Sequence, residues 1–224
     1  MKINPQAGVR VEAFLGIPVL YVENFYEDPD EVRRAAVNAS YDLSVAQYPG
    51  RHAPIPPQEV APVTEVIARI ATRLGDRVYS AADFHSDFSI VTTKPDDLLP
   101  SQQHPHIDPT PVLGLVYLTP ESTEGTSFYF NEMLGIAVVT SDEERKAHVD
   151  FLDRHAAELA PGGYDFTRHK VWRRIYTIEP TFNRFVLYPG NVFHAIDINT
   201  IDDTLDMHRV RVTQRFIVQS THDK

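Results

Sequence analysis

The stretch Gln103-His104-Pro105-His106-Ile107-Asp108-Pro109 decides how this chain is read. His106 and Asp108 stand two apart, so on an extended backbone both side chains leave the same face and can grip one ion. The spacing alone is thin support, because this composition gives about 1.4 His-x-acid pairs by chance. Three such pairs carry aspartate: His85/Asp87, His106/Asp108 and His148/Asp150. Upstream of His148, the capping-box pattern Ser141-Asp142-Glu143-Glu144 predicts a helix. In a helix, residues two apart point about 200° away from each other, so His148 and Asp150 cannot chelate. His85/Asp87 falls on a predicted strand and is the reserve pair. His104 is the nearest competing ligand, and it reads more naturally as a loop residue supporting the site.

A candidate third ligand is offered by Pro189-Gly190-Asn191-Val192-Phe193-His194, where a tight turn delivers a histidine beside a strand. Two histidines and a carboxylate on one octahedral face leave adjacent positions open, which is the facial triad of non-haem Fe(II) oxygenases. The composition removes other metal chemistries. None of the 224 residues is cysteine, so disulfides, thiol nucleophiles, zinc fingers and thiolate-held clusters are all excluded. With 31 Asp and Glu against 21 Lys and Arg, the net charge of −10 repels a phosphate backbone, and nucleic acid is not an expected partner. No apolar run approaches the roughly 18 residues of a membrane span, and Met1-Lys2-Ile3-Asn4-Pro5 lacks a signal-peptide core. The expected setting is cytoplasmic, without a membrane partner.

The rest of the chain arranges itself around this stretch as one expected domain over 1–224. Downstream, Val112-Leu113-Gly114-Leu115-Val116-Tyr117-Leu118, Ser127-Phe128-Tyr129-Phe130, Phe185-Val186-Leu187-Tyr188 and the segment 210–218 read as strands. Upstream, Phe88-Ser89-Ile90-Val91-Thr92-Thr93 and Pro18-Val19-Leu20-Tyr21-Val22 read the same way. Asp28-Pro29-Asp30-Glu31 opens a helix with Val32, Ala35, Ala36 and Ala39 as its apolar stripe. A second helix is expected over 63–74 with Gly75 closing it, after a Pro-rich loop from Tyr48 to Pro57. A helical insertion over about 141–160 interrupts the strands, ending before Pro161-Gly162-Gly163. The expected class is α+β, built on a β-sandwich or barrel.

His106-Ile107-Asp108, the strand ending Val116-Tyr117-Leu118, Glu124-Gly125-Thr126-Ser127-Phe128, Tyr188-Pro189-Gly190 with His194, and Arg211-Val212-Thr213 together resemble the Fe(II)/2-oxoglutarate-dependent dioxygenase superfamily. Asn24-Phe25-Tyr26-Glu27-Asp28-Pro29, Tyr48-Pro49-Gly50-Arg51-His52-Ala53-Pro54 and Asn183-Arg184-Phe185-Val186-Leu187-Tyr188 are similar to recurring segments of a poorly characterised bacterial branch of it. The resemblance spans residues 18–219. It implies a double-stranded β-helix (jelly roll) with the N-terminal helices packed on its major sheet. It also implies Fe(II) held by His106, Asp108 and His194, and 2-oxoglutarate as cosubstrate. Arg211 would take the distal carboxylate, with Thr213 two residues on; Tyr117 is a further candidate for that carboxylate, weighed against a place in the core. The implied reaction is hydroxylation of a small molecule, such as an amino acid or natural-product intermediate, with release of succinate and CO2. The carboxylate ligand at Asp108 argues against halogenation.

Two departures bear on this. Glu124 stands where the first glycine of the family's turn is usual, and the long loop from Asp197 to Met207 makes Arg209 a rival to Arg211. A dicarboxylate needs a fixed cation, and guanidinium offers a bidentate fork. By parity Arg209, Arg211, Thr213 and Arg215 share one strand face, which otherwise reads as a solvated edge. Arg51 is read either as a substrate clamp or as an exposed loop residue. Trp172, Tyr164 and Tyr176 are read either as core or as a substrate wall, and the 141–159 helix as a lid or a decoration. A cupin-like metal-dependent isomerase or hydrolase and a non-enzymatic jelly-roll binding module are the rival functions. The expected partner is a small-molecule substrate, with a homodimer left open.

Overall fold

Leu15 and Gly16, at φ of 49° and 79°, make a two-residue turn that joins β1 (Gly8–Phe14) to β2 (Ile17–Glu23). Two positive φ values match the right-handed twist of the flanking strands, so the turn itself sets the hairpin register. The computed structural model describes residues 1–42, 48–74, 77–159, 163–168, 170–198 and 209–218. The expected helix-closing Gly75, the Pro161-Gly162 stop and the loop beyond Ile198 lie outside the described residues.

After β2 come α1 (Pro29–Val37), β3 (Gly50–Ile55), α2 (Pro57–Leu74), β4 (Phe84–Val91), β5 (Val112–Tyr117) and β6 (Thr126–Asn131). They are followed by α3 (Asp142–Leu159), β7 (Trp172–Ile178), β8 (Phe185–Pro189), β9 (His194–Ile196) and β10 (Val212–Val218). Seven strands form the major sheet in the order β1-β2-β8-β5-β10-β4-β3, and three form the minor sheet in the order β7-β6-β9. The strand pairs are antiparallel. Facing residues of the two sheets, among them Leu113, Leu115 and Val186 with Phe128 and Ile178, make one core layer. The other face of the major sheet carries the N-terminal helices. Val32 and Ala36 of α1 and Val63, Ile67 and Ala71 of α2 pack on Leu20, Phe88, Val116 and Phe216. This is the expected α+β architecture with helices on the major sheet.

Local chemistry explains most boundaries. Asp28 caps α1 by accepting the Glu31 amide at 2.8 Å, with Pro29 in the first turn. Ala35 of the expected stripe is exposed; Arg33 is buried instead and donates to the Leu118 carbonyl at 2.5 Å. Helix α2 begins at Pro57, six residues ahead of expectation, with that proline in the first helical position, where its missing donor is tolerated, and Pro62 inside the helix. The segment read as a Pro-rich loop is strand β3, hydrogen-bonded along β4, with its Pro54 on the sheet's outermost strand. Ser141 accepts the Glu144 amide at 3.2 Å while the Glu144 carboxylate takes the Thr140 amide at 2.6 Å, so α3 starts where the sequence places it.

Helix α3 is not a lid. Its Phe151 packs edge-on against Trp172 and its His148 against Phe193, with ring centroids 6.1 and 4.8 Å apart. It therefore backs the minor sheet behind β9, and none of its described residues lines the cavity described below. Trp172 is core, and Tyr176 lies elsewhere, its hydroxyl 2.6 Å from that of Tyr21. Of the three aromatics only Tyr164 reaches the cavity.

Candidate metal centre and its cavity

His106 and His194 face each other as an antiparallel bridge, each amide donating to the other's carbonyl at 3.0 and 2.9 Å. The loop carrying Asp108 is fixed by a second contact, the Asp108 amide donating to the Gly190 carbonyl at 2.8 Å. Gly190 is required there, because a Cβ would sit 2.1 Å from the Thr110 carbonyl oxygen. The Pro189-Gly190 turn thus brings Asp108 beside the strand that delivers His194.

One ligand atom from each of His106, Asp108 and His194 lies within 4.8 Å of the others. Asp108 Oδ2 is 3.3 Å from His194 Nε2, and Asp108 Oδ1 is 3.8 Å from His106 Nε2. His194 Nδ1 lies 2.9 Å from the Val192 carbonyl, so the ring donates there and leaves Nε2 as a lone-pair ligand aimed at the cluster. The His194 side chain is 5% exposed, against 44% for His106 and 29% for Asp108, so the cluster opens on one side only. Burial, and then the neighbouring His194, hold the His106 imidazole below its ordinary pKa. Burial alone would raise the Asp108 carboxyl, but the adjoining His194 and His106 rings and the Arg215 guanidinium outweigh it and hold the group below the ordinary carboxylate range. Two imidazoles and a carboxylate form a donor set suited to a divalent transition metal. Among the described residues this is the one group of three such ligands.

The reserve pair goes elsewhere. Asp87 accepts Arg215 Nε at 2.8 Å and Nη2 at 2.7 Å, and the Ser89 hydroxyl at 3.0 Å, so it serves an ion pair. Asp150 is exposed on α3 and paired to Lys146 at 2.6 Å, while His148 is buried against Phe193, as helical spacing requires. His104 lines the cavity with Nδ1 3.0 Å from the Pro105 carbonyl and stands outside the three-ligand group.

A cavity of about 350 Å³ opens beside the cluster, lined among others by Tyr48, His52, Leu115, Tyr164, Tyr188, Arg211, Thr213 and Arg215. Parity on β10 works as expected from Arg211 onward: Arg211, Thr213 and Arg215 face the cavity, while Val212 and Phe216 join the helix-side core. Arg209 is exposed in a turn ahead of β10, because the strand begins at Val212. Arg211 is 4% exposed; its Nε donates to the Glu124 carbonyl at 2.8 Å and its Nη2 approaches Gly125 O at 3.4 Å and Thr126 Oγ1 at 3.5 Å. Glu124 contributes a carbonyl here, so a side chain in the family's glycine position does no harm. Gly125 cannot vary in the same way, since a Cβ would lie 2.2 Å from the Ile178 carbonyl oxygen. Tyr117 does not line the cavity: its hydroxyl donates to Thr126 Oγ1 at 2.9 Å, and the Arg211 guanidinium lies over its ring, 5.6 Å from the centroid. The Thr213, Tyr188 and Tyr48 hydroxyls line the cavity buried and, among the described residues, without a hydrogen-bond partner.

The sequence reading did not single out Tyr48, His52 or Tyr188 as cavity residues. Once β3 is seen as a strand, parity puts His52 on the cavity side and Arg51, opposite Ile90, on the helix side. The Asp87-x-Ser89 alternation on β4 was the available signal, because His52 and Ser89 are register partners whose side chains bond at 2.9 Å.

No curated protein matches the chain in sequence. Among solved structures it is similar to HygX from Streptomyces hygroscopicus, a structure with nickel and 2-oxoglutarate bound. The identity is 13%, 91% of this chain and 83% of that one are covered, and the TM-score is 0.50. It is also similar to a prolyl hydroxylase from Trichoplax adhaerens at 12% identity, covering 89% and 82%, with a TM-score of 0.47. The likeness to HygX gives the chain the jelly-roll fold of the Fe(II)/2-oxoglutarate-dependent oxygenases, open at its edges rather than closed into a barrel. No helix among the described residues is long and apolar enough to cross a membrane. A family model matches residues 5–216, and the chain accordingly belongs to DUF6445, a family of unknown function.

Proposed function

We propose that this chain is a non-haem Fe(II)- and 2-oxoglutarate-dependent oxygenase that hydroxylates a small molecule. The observation that carries the reading is one cavity joining the His106, Asp108, His194 cluster to a buried arginine that has, among the described residues, only neutral acceptors. The residues fit both groups. Two imidazoles and a carboxylate suit Fe(II) with positions left open, and Arg211 with the unpartnered Thr213 hydroxyl suits a carboxylate. When bound, the iron and the keto acid supply oxygen activation, with succinate and CO2 as by-products.

The chain's own residues do the rest. His194 is locked in one tautomer by the Val192 carbonyl, so its ligand nitrogen needs no reorientation. Arg211, held by the Glu124 carbonyl and steadied through Thr126 by Tyr117, orients a dicarboxylate by its far end. Tyr188, edge-on to His194 with ring centroids 5.4 Å apart, and the wall of Tyr48, Tyr164 and Phe166 exclude water and shape a space for a small substrate.

The test is succinate formation from 2-oxoglutarate with Fe(II) in air, alongside calorimetric titration of Mn(II) and then 2-oxoglutarate without oxygen. Turnover and tight Mn(II) binding in the native chain, both lost in His106→Ala, Asp108→Ala and His194→Ala variants that stay folded, are expected. A native chain that binds Mn(II) but never yields succinate with a panel of small substrates would favour an isomerase or hydrolase. Absence of Mn(II) binding would leave a binding module.

A further inference from the structure

Strand β1 is the outermost strand of the major sheet, and its residues Gly8 to Ala13 are all exposed. Strands in this position are usually guarded by proline, a bulge, an inward charge or a covering loop. The opposite edge shows such guarding: β3 carries Pro54, and the Asp42 amide donates to its His52 carbonyl at 2.8 Å. The β1 register runs unbroken from Gly8↔Glu23 to Phe14↔Ile17, without proline, lysine or bulge; its two charges, Arg10 and Glu12, lie on the face towards the minor sheet, where they pair with each other and Glu12 accepts the Tyr176 hydroxyl at 2.6 Å. Val9 and Val11 stand 60% and 53% exposed on its helix side.

The hairpin geometry fixes which backbone groups are unpaired. A two-residue turn makes Phe14↔Ile17 a hydrogen-bonded pair, so alternate pairs Glu12↔Val19, Arg10↔Tyr21 and Gly8↔Glu23 are bonded as well. Pro18, opposite Ala13, falls at a non-bonded position where its missing N–H costs nothing. The amides and carbonyls of Val9, Val11 and Ala13 therefore point away from β2, along the free edge.

We infer that this edge is the self-association surface of the protein, pairing antiparallel with β1 of a second copy about a twofold axis at Val11. The sequence Val9-Arg10-Val11-Glu12-Ala13 is complementary to its own reverse. Centred on Val11, each Arg10 lies opposite the second copy's Glu12, Val9 lies opposite Ala13, and the unpaired groups of all three odd residues meet their counterparts in register. A shift by one residue would bring bonded groups face to face instead, and a shift by two would put the charges out of step. The pairing is isologous, as a twofold dimer requires, and it extends each seven-stranded sheet into the next. Edge pairing buries less surface than a standard interface, so the dimer is expected to be weak and concentration-dependent. The proposal does not depend on the activity proposed for the cavity.

Sedimentation velocity from low micromolar to near-millimolar protein tests it, with amide hydrogen exchange at the same concentrations. The native chain is expected to dimerise as concentration rises, with Val9, Val11 and Ala13 amides becoming protected together. Val11→Lys sets two ammonium groups across the axis, and Val11→Pro deletes the central outward donor. Each should weaken dimerisation at least tenfold while circular dichroism and melting stay native, since Val11 is exposed and its amide is not used by β2. A native chain that remains monomeric throughout, or a dimer equally strong in Val11→Lys, would overturn the proposal. So would dimerisation that leaves the three amides unprotected.

Discussion

Arg211 and Arg215 leave the same face of β10 and line the same cavity, yet their surroundings make them different devices. Arg215 faces β4, where Asp87 meets it with two hydrogen bonds at 2.8 and 2.7 Å. Arg211 faces the turn before β6, which offers only carbonyls and a hydroxyl. A guanidinium bound to carbonyls keeps its full charge for an incoming anion, whereas one bound to a carboxylate has largely spent it. The cavity's unspent positive charge is thus concentrated at the Arg211 end, and the Arg215 end is a strut between strands. Strand parity placed both residues; only the neighbouring strands decide which one keeps its charge uncompensated and which one braces.

Removing one partner of the strut should have the largest effect. Arg215→Ala leaves the buried Asp87 carboxylate with only the Ser89 hydroxyl and His52 beside it and is expected to cost about 3 kcal/mol, a melting-point drop of about 6–12 °C by calorimetry. Replacing both Arg215 and Asp87 by apolar residues of similar size should recover most of that loss. Next, Arg211→Ala should melt close to native but weaken 2-oxoglutarate binding to the Mn(II)-loaded protein roughly a hundredfold. Arg211→Lys should restore part of it, since a point charge lacks the fork. If Arg211→Ala destabilised the fold as much as Arg215→Ala without touching ligand affinity, the two arginines would be one device after all.

A smaller effect separates them by pH. Burial alone would raise the Asp87 carboxyl, but hydrogen bonds from His52 and Arg215 outweigh it and hold the group below the ordinary carboxylate range. A carboxyl depressed in the fold contributes its stability above the unfolded value of about 3.9 and loses it as pH falls through the folded one. Stability should therefore decline on acidification below about pH 5, and Asp87→Asn, already destabilised, should show a flatter decline. The smallest expected effects are in Glu124→Ala, which retains the carbonyl that Arg211 uses, and in the exposed Arg209→Ala. Both should change 2-oxoglutarate affinity by less than about threefold.

The sequence was legible where one residue pattern meets one environment. Strands β5 and β8 are apolar on both faces because they are covered on both, β6 is buried along nearly its whole length, and each was read within a residue or two. The Asp28 and Ser141 caps act locally, so α1 and α3 began where expected. Strand β1 has almost no burial to impose a pattern, and β3 is interrupted by Pro54, so neither announced itself. Strand β7 carries the adjacent charges Arg173 and Arg174, and β9 is only three residues long. His106, Asp108 and His194 were readable as types and turns, and their meeting came from a bridge between backbones distant in sequence. The Asp87–Arg215 pair was not readable at all, because nothing in either strand says that the two will be neighbours.

The bridge between His106 and His194 also has a kinetic meaning. Because the two backbones are bonded to each other rather than through an ion, the ligand cage exists before any metal arrives. A metal ion held there would enter and leave past the half-buried His106 and Asp108 side chains while His194 stays fixed, with no strand needing to separate. The lifetime of such an ion would then be set by ligand exchange at the cavity mouth, and stripping it with a chelator should be much faster than the unfolding of the sheets that hold the cage.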